Sequence, residues 1–200
     1  MARRRRIGLL GGSFDPPHTG HLWMARRARA ALELDEVWLI PAYRPPHKDA
    51  GGVSPWRLRR EMAALLAAEE PWLRVEPIEG ERRGVSYTVD TVRALQGRHG
   101  ESLEFVLIIG EDSLRDVEGW KDPDDLFAAV EVAVLARAGG EARSARPCRL
   151  LAGETHPAQS RRIRDAVAAG EPPPWLTAEV ADYVARHGLY RRRAAEGRRP

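Results

Sequence analysis

A single cysteine, Cys148, stands in a chain of 200 residues, so neither an intrachain disulfide nor a cysteine-cluster metal site is available, and a reducing compartment is the simplest setting. Lysine is nearly as scarce, with Lys48 and Lys121 alone against thirty arginines. Long apolar runs are missing too. The longest, Phe105 to Ile109, stops at Gly110 and falls far short of the roughly 20 residues that span a bilayer. The opening MARRRRIGLL has the basic start of a signal peptide, but its apolar part is too short and no cleavage site follows, so a cytoplasmic protein is expected.

The formal net charge of +3 is a property of the ends. Nine arginines fall in Arg3 to Arg6, Arg191 to Arg193, Arg198 and Arg199, whereas between Ile7 and Tyr190 28 acids outnumber 23 bases. A basic face for nucleic acid is therefore disfavoured, and two solvated Arg-rich tails, 1–6 and 191–200, are expected instead. With 43% hydrophobic residues the chain can bury one sizeable core, which predicts a single domain.

Apolar runs rich in β-branched residues alternate with helical patterns. Strands are expected at 7–10, 37–41, 73–79, 103–110 and 130–137, and helices at 20–34, 55–68, 88–96, 122–129, 160–169 and 177–187. Ser54 before Pro55 reads as a helix N-cap. Strand–helix alternation predicts an α/β fold, a Rossmann-like parallel sheet with helices on both faces, and FVLII suits a strand buried on both sides. The stretch 138–157 reads as loop with one short apolar piece, and EPPPW at 171–175 as a stiff linker.

In such a sheet the ligand sits beyond the carboxyl ends of the strands. GGSFDPPHTGH, residues 11–21, occupies that place after the first strand. Gly11 and Gly12 allow backbone N–H groups to approach a ligand, and the helix that follows offers its N-terminal dipole, a seat for phosphate. The stretch is neither a P-loop nor a dinucleotide fingerprint, since it lacks Gly-Lys-Ser/Thr and G-x-G-x-x-G. His18 and His21 flank Gly20 at a spacing that lets both imidazoles face one anion. A zinc pair lacks a third ligand nearby. Asp15 reads as an Asx-turn residue, and His47, His99, His156 and His187 as ordinary surface or packing histidines.

The H-x-G-H core at His18 to His21 resembles the signature of the nucleotidyltransferases related to class I aminoacyl-tRNA synthetases. Within them the chain is similar to the bacterial nicotinate-nucleotide adenylyltransferases through PAYRPPHK (41–48), SYTVDT (86–91), IIGEDSLRDVEGW (108–120) and WLTAEVADYVARHGLY (175–190). The resemblance implies transfer of the adenylyl group of ATP to nicotinate mononucleotide, with Mg²⁺ as the ATP counterion and no metal site of the protein's own. It implies catalytic roles for His18, His21 and Lys48. ATP is expected at Gly11, Gly12, Ser13, Phe14, His18, His21, Gly110, Ser160 and Arg164, and the mononucleotide at Lys48, Thr88, Asp112 and Trp120, with the Trp120 indole stacked on the pyridine ring.

One motif departs from the family pattern. Where the family has ISSTxIR, this chain has AQSRRIR at 158–164: Ser160 and Arg164 match, while Gln159 and Arg161 replace a serine and a threonine. Ser160 is expected to cap the helix, and Arg161 to offer a charge for the lost hydroxyl. Three alternatives stay open at this point. They are a nicotinamide mononucleotide acceptor, a phosphopantetheine acceptor, against which SYT and GEDSLRDVEGW argue, and a nucleotide-binding protein without catalysis. A homo-oligomer is left open as well.

Overall fold

The computed structural model describes residues 3–46, 52–136, 144–151, 153 and 156–191. Six strands, β1 (Arg5–Gly12), β2 (Glu36–Pro41), β3 (Leu73–Val75), β4 (Leu103–Gly110), β5 (Glu131–Leu135) and β6 (Arg149–Leu151), form one sheet in the order β3-β2-β1-β4-β5-β6. Every neighbouring pair is parallel. The chain walks outward from β1 to β3, returns to β4 beside β1, and walks outward again. The strand order therefore reverses between β1 and β4, and a crevice opens beyond their carboxyl ends at Gly12 and Gly110.

Helices cover both faces: α1 (Thr19–Leu32), α2 (Trp56–Ala67), α3 (Ile78–Arg82), α4 (Thr88–His99), α5 (Glu111–Arg115), α6 (Pro123–Ala129), α7 (Ser160–Ala169) and α8 (Ala178–Arg186). Residues alternate between the faces along each strand. Leu10, Leu39, Val106 and Ile108 join α1, α2 and α8 in one core, while Ile7, Leu9, Leu107 and Ile109 join α4 and α6 in the other. Burial on both sides is why β2 carries no alternation at all; its six residues are buried throughout. The single-domain α/β architecture expected from the sequence is the one observed.

Several local expectations are corrected. Only Leu73–Val75 of 73–79 pairs with β2, because Pro77 has no N–H for a ladder and the chain turns there into α3. The apolar piece in 138–157 is a sixth strand, β6, on the edge of the sheet. Ser54 does not cap α2. Pro55 takes that position, and Ser54 instead donates its N–H to the Asp15 carboxylate and lends its carbonyl to Arg59.

The first Arg-rich segment is no solvated tail where it is described. Arg5 and Arg6 open β1, and acids gather around them because parallel strands bring their amino ends together: Arg6 reaches Glu104 at 2.9 Å and Glu131 at 2.7 Å, and its N–H donates to Asp35. Arg3 pairs with Asp35, Arg4 with Glu101 and Arg5 with Glu36. Of the second segment, residues 192–200 lie outside the described residues.

Candidate active site

The stretch after β1 is shaped by long-range contacts that its own sequence does not announce. Phe14 is buried with φ of 50°, and Asp15 is buried at 1% exposure. The Asp15 carboxylate accepts the Ser54 N–H at 3.1 Å and the Tyr190 hydroxyl at 2.7 Å, so its role is a tie to distant segments rather than the local Asx turn expected. Arg59, also buried at 1%, donates to three carbonyls, those of Ser13 at 2.6 Å, Ser54 at 2.7 Å and Tyr43 at 3.2 Å. The guanidinium thereby joins the β1–α1 loop to both ends of the β2–α2 connection.

The two histidines stand where α1 begins. His18 is the N-cap, and the rings of His18 and His21 lie 3.9 Å apart at 33°. Gly20 is required between them. A Cβ there would stand 2.9 Å from His18 Nδ1 and 3.2 Å from Ala158 Cβ. The His18 N–H donates to His21 Nδ1 at 3.2 Å, which leaves the His21 ring proton on Nε2. Among the described residues His18 Nδ1 is buried without a hydrogen-bond partner, as are Arg29 Nε and His99 Nε2, and of the three only His18 borders a cavity with a second imidazole. Burial lowers the His18 pKa to about 4, with the nearby His156 adding to the shift, and burial together with His18 drives that of His21 well below its ordinary value. Both rings are therefore neutral at pH 7, each a hydrogen-bond donor rather than a fixed cation.

Two cavities meet at this point. The larger, about 470 Å³, is lined by Gly11, Gly12, Ser13, His21, Thr88, Gly110, Asp112 and Trp120. The smaller, about 150 Å³, is lined by His18, His21, Gly110 and Asp112 together with Leu135, Ala136, His156 and Ala158. His21, Met24, Gly110 and Asp112 border both. A Cβ on Gly11 would meet no heavy atom within 4 Å, so the backbone there faces open space. A ligand longer than a mononucleotide can lie across the junction, with phosphates beside the imidazoles.

Most site residues expected from the sequence line these cavities, and three do not. Phe14 lies under the site, its ring 4.8 Å from that of His21. Ser160 donates to the Pro16 carbonyl at 2.9 Å, and Arg164 to the Asp15 carbonyl at 2.8 Å, so both brace the loop. Gln159, not Ser160, is the N-cap of α7, because its backbone is still extended and Ser160 is already the first helical residue. Arg161 is exposed beside Asp165. The α1 terminus is also less open than expected, since the Thr19 N–H is taken by the Trp175 carbonyl at 2.9 Å, delivered by the EPPPW linker. Lys48 and His47 lie outside the described residues.

Sequence reasoning missed three groups at the cavities. Lys121 ion-pairs with Asp90 at 3.0 Å and lies over the Tyr87 ring, at the edge of the larger cavity. His156 accepts the Ala158 N–H on Nδ1 at 3.2 Å, with Nε2 3.4 Å from Thr19 Oγ1. Glu79 is a buried carboxylate on the wall of the larger cavity.

The cytidylyltransferase-like family model matches residues 9–172. A nicotinate-nucleotide adenylyltransferase of Shouchella clausii is 36% identical over 187 residues, covering 93% of this chain and 97% of its own length. One of Bordetella pertussis is 41% identical over 201 residues, covering 93% and 98%. The chain belongs to the nicotinate-nucleotide adenylyltransferase family. A solved structure of the Plasmodium falciparum nicotinic acid mononucleotide adenylyltransferase, complexed with NaAD, superposes with a TM-score of 0.78 over 94% of this chain and 98% of that one. At 16% identity the superposition speaks for the fold. No helix among the described residues is long and apolar enough to cross a membrane.

Proposed function

We propose that this chain transfers the adenylyl group of ATP to nicotinate mononucleotide, forming nicotinate adenine dinucleotide and pyrophosphate in NAD biosynthesis. The observation that carries the reading is the junction of the two cavities at His21 and Gly110, with the histidine pair on one side and the Thr88–Trp120 pocket on the other. An oxygen of the mononucleotide phosphate attacks the α-phosphorus in line. The bond to the β-phosphate oxygen breaks, and pyrophosphate leaves with its electron pair. No covalent enzyme intermediate is needed, so catalysis rests on alignment and on donors aimed at the charge that develops.

The roles follow from what each group can offer. His18 and His21 give neutral N–H donors to phosphate oxygens, and the backbone of Gly11, Gly12, Ser13 and Gly110 lets the phosphates come close. Thr88 is the first residue of α4, a helix of 12 residues whose N-terminal N–H groups and dipole suit the pyridine carboxylate. Trp120 stacks on the ring, and Asp112 accepts from a ribose hydroxyl. Lys48 neutralises phosphate, and Ser160 and Arg164 support the site by holding the Asp15–Pro16 loop to α7.

Magnesium enters as part of the nucleotide substrate. The ion would be ligated by the triphosphate and water. The absence of a cysteine framework and of a basic body supports a cytoplasmic enzyme acting on small molecules.

The test supplies purified protein with Mg²⁺ and ATP and offers nicotinate mononucleotide, nicotinamide mononucleotide or phosphopantetheine in parallel, with products identified by mass. Nicotinate adenine dinucleotide as the dominant product is the expected outcome. Turnover of another acceptor would move the specificity, and silence on all three would turn attention to a non-catalytic role.

A further inference from the structure

Among the described residues Glu79 is the one strongly buried acid on the wall of the larger cavity, and the reaction described above gives it no task. Its surroundings are all donors. Oε1 accepts the Thr91 hydroxyl at 2.8 Å, Oε2 accepts the Tyr43 N–H at 3.3 Å, and the Ser86 hydroxyl also hydrogen-bonds to the carboxylate. The Arg82 guanidinium donates to Thr91 Oγ1 at 3.2 Å and supplies the nearest compensating charge. An ionised carboxylate accepts at both oxygens, whereas an amide would turn an NH₂ toward these donors.

Two of those donors, Tyr43 and Ser86, belong to separate segments that border the acceptor pocket. Tyr43 and Arg44 follow β2; Ser86 to Thr88 lead into α4. Ser86 Oγ accepts the N–H of Tyr43 at 2.8 Å and of Arg44 at 3.2 Å, and the Ser86 N–H donates to the Arg44 carbonyl at 2.9 Å. With its lone pairs on two amides, the Ser86 hydroxyl oxygen is committed to the Tyr43–Arg44 segment. The N–H groups that open α4 are donors, which suit a carboxylate accepting at both oxygens better than a carboxamide, whose NH₂ needs an acceptor.

We infer that Glu79 is a positioning residue that locks the Tyr43–Arg44 and Ser86–Thr88 segments together and thereby sets the preference for an acceptor bearing a carboxylate over one bearing a carboxamide. The inference rests on the proposed adenylyl transfer and goes beyond it, since it names what orients the pocket rather than what touches the substrate. Burial raises the Glu79 pKa, opposed by the hydrogen bonds of Ser86 and Thr91, as befits a carboxylate held for its acceptors in a partly dry wall.

The test compares wild type, Glu79→Gln and Ser86→Ala with nicotinate and nicotinamide mononucleotide, measuring kcat and KM for each acceptor and for ATP. Glu79→Gln is expected to raise the nicotinate mononucleotide KM about tenfold, as the loss of a charge-assisted hydrogen-bond set does, with the ATP KM and kcat within about twofold. The nicotinamide KM should move less, so that the ratio of kcat/KM between the two acceptors narrows about fivefold or more. Ser86→Ala should shift the ratio in the same direction, and it decides the matter if Glu79→Gln does not fold. An unchanged ratio in a folded variant overturns the inference, and so does a lower nicotinate KM, which would mean that Glu79 acts only as a repelling charge. A rise in ATP and acceptor KM together would reduce Glu79 to general structure and overturn it too. A wild type that makes no dinucleotide overturns the proposed reaction itself, whereas an active wild type with indifferent variants sinks the Glu79 inference alone.

Discussion

The two ends of the same strands are built on opposite principles. At the amino ends of β1, β4 and β5, Arg6 is matched to Glu104 and Glu131, and Arg3 and Arg5 find acids within 2.7 Å. Charge there is abundant, paired and close to solvent. At the carboxyl ends the strands finish in Gly12 and Gly110, two imidazoles are kept neutral by burial, and one buried nitrogen, His18 Nδ1, has no partner among the described residues. One end is a network of paired charges, and the other gathers neutral imidazoles and open glycine backbone around a pair of cavities. The difference locates function without reference to any ligand, because neutral donors around an open crevice at the strand carboxyl ends are what a phosphate ligand needs.

The sharpest way to break the contrast is to remove His18. His18→Ala should lower kcat by ~10² or more, as the loss of a donor to a transition-state oxygen typically does, while the melting temperature stays near that of wild type. Steady-state kinetics beside a thermal melt checks both halves, and near-normal turnover would remove His18 from the chemistry.

The same ring makes a prediction about pH. Its folded pKa is about 4 and its ordinary value is 6.5, so below pH 6.5 the unfolded chain takes up a proton that the folded chain refuses. Stability from this group is present above pH 6.5 and is lost as pH falls toward 4, by about 3 kcal/mol. Urea melts of wild type and His18→Asn at pH 7 and pH 4 isolate that share from the carboxylates, which titrate in both proteins. Parallel pH profiles for the two would show that His18 is not held neutral by the fold.

Much of the contrast was legible in the sequence, and what was not has a common cause. The strand runs and the glycine–histidine stretch are local patterns, so β1, β2, β4, α1 and the site's position could be read directly. Asp15 could not. Its carboxylate is claimed by Ser54 and by Tyr190, 39 and 175 residues away, and proximity in sequence suggested only a turn. Glu79 was hidden in a strand-like run that Pro77 ends early, and nothing local to the helix expected at 55–68 tells that Arg59 turns its donors inward to three carbonyls. Ser160 and Arg164 matched a phosphate-binding motif, yet their hydrogen bonds go to the Pro16 and Asp15 carbonyls. Motifs report which residues gather; the tertiary partners decide what each one does.

A smaller effect tests whether the carboxyl-end site is divided as the two cavities suggest. Trp120 borders the larger cavity and not the smaller. Trp120→Ala should raise the KM for nicotinate mononucleotide about tenfold through lost stacking, a change of about 1.4 kcal/mol, and leave the ATP KM within about twofold. Equal shifts for both substrates would mean that the indole shapes the whole cleft instead of one half.

The smallest expected effect lies at the amino end and makes the comparison reciprocal. Arg6→Ala removes two ion pairs and a hydrogen bond to the Leu32 carbonyl, but Glu104 and Glu131 are 46% and 35% exposed and regain water once released. Solvent screening therefore limits the loss to about 1 kcal/mol of stability, read as a shift in the urea midpoint. Added salt should weaken the wild-type advantage, since part of it is Coulombic. The kcat and both KM values should not move, because the strand between Arg6 and Gly11 is held by its ladders to β2 and β4 rather than by its first side chain. A kinetic defect in Arg6→Ala would show that the charged end of the sheet tunes the site at the other, and the two ends would then have to be treated as one coupled system.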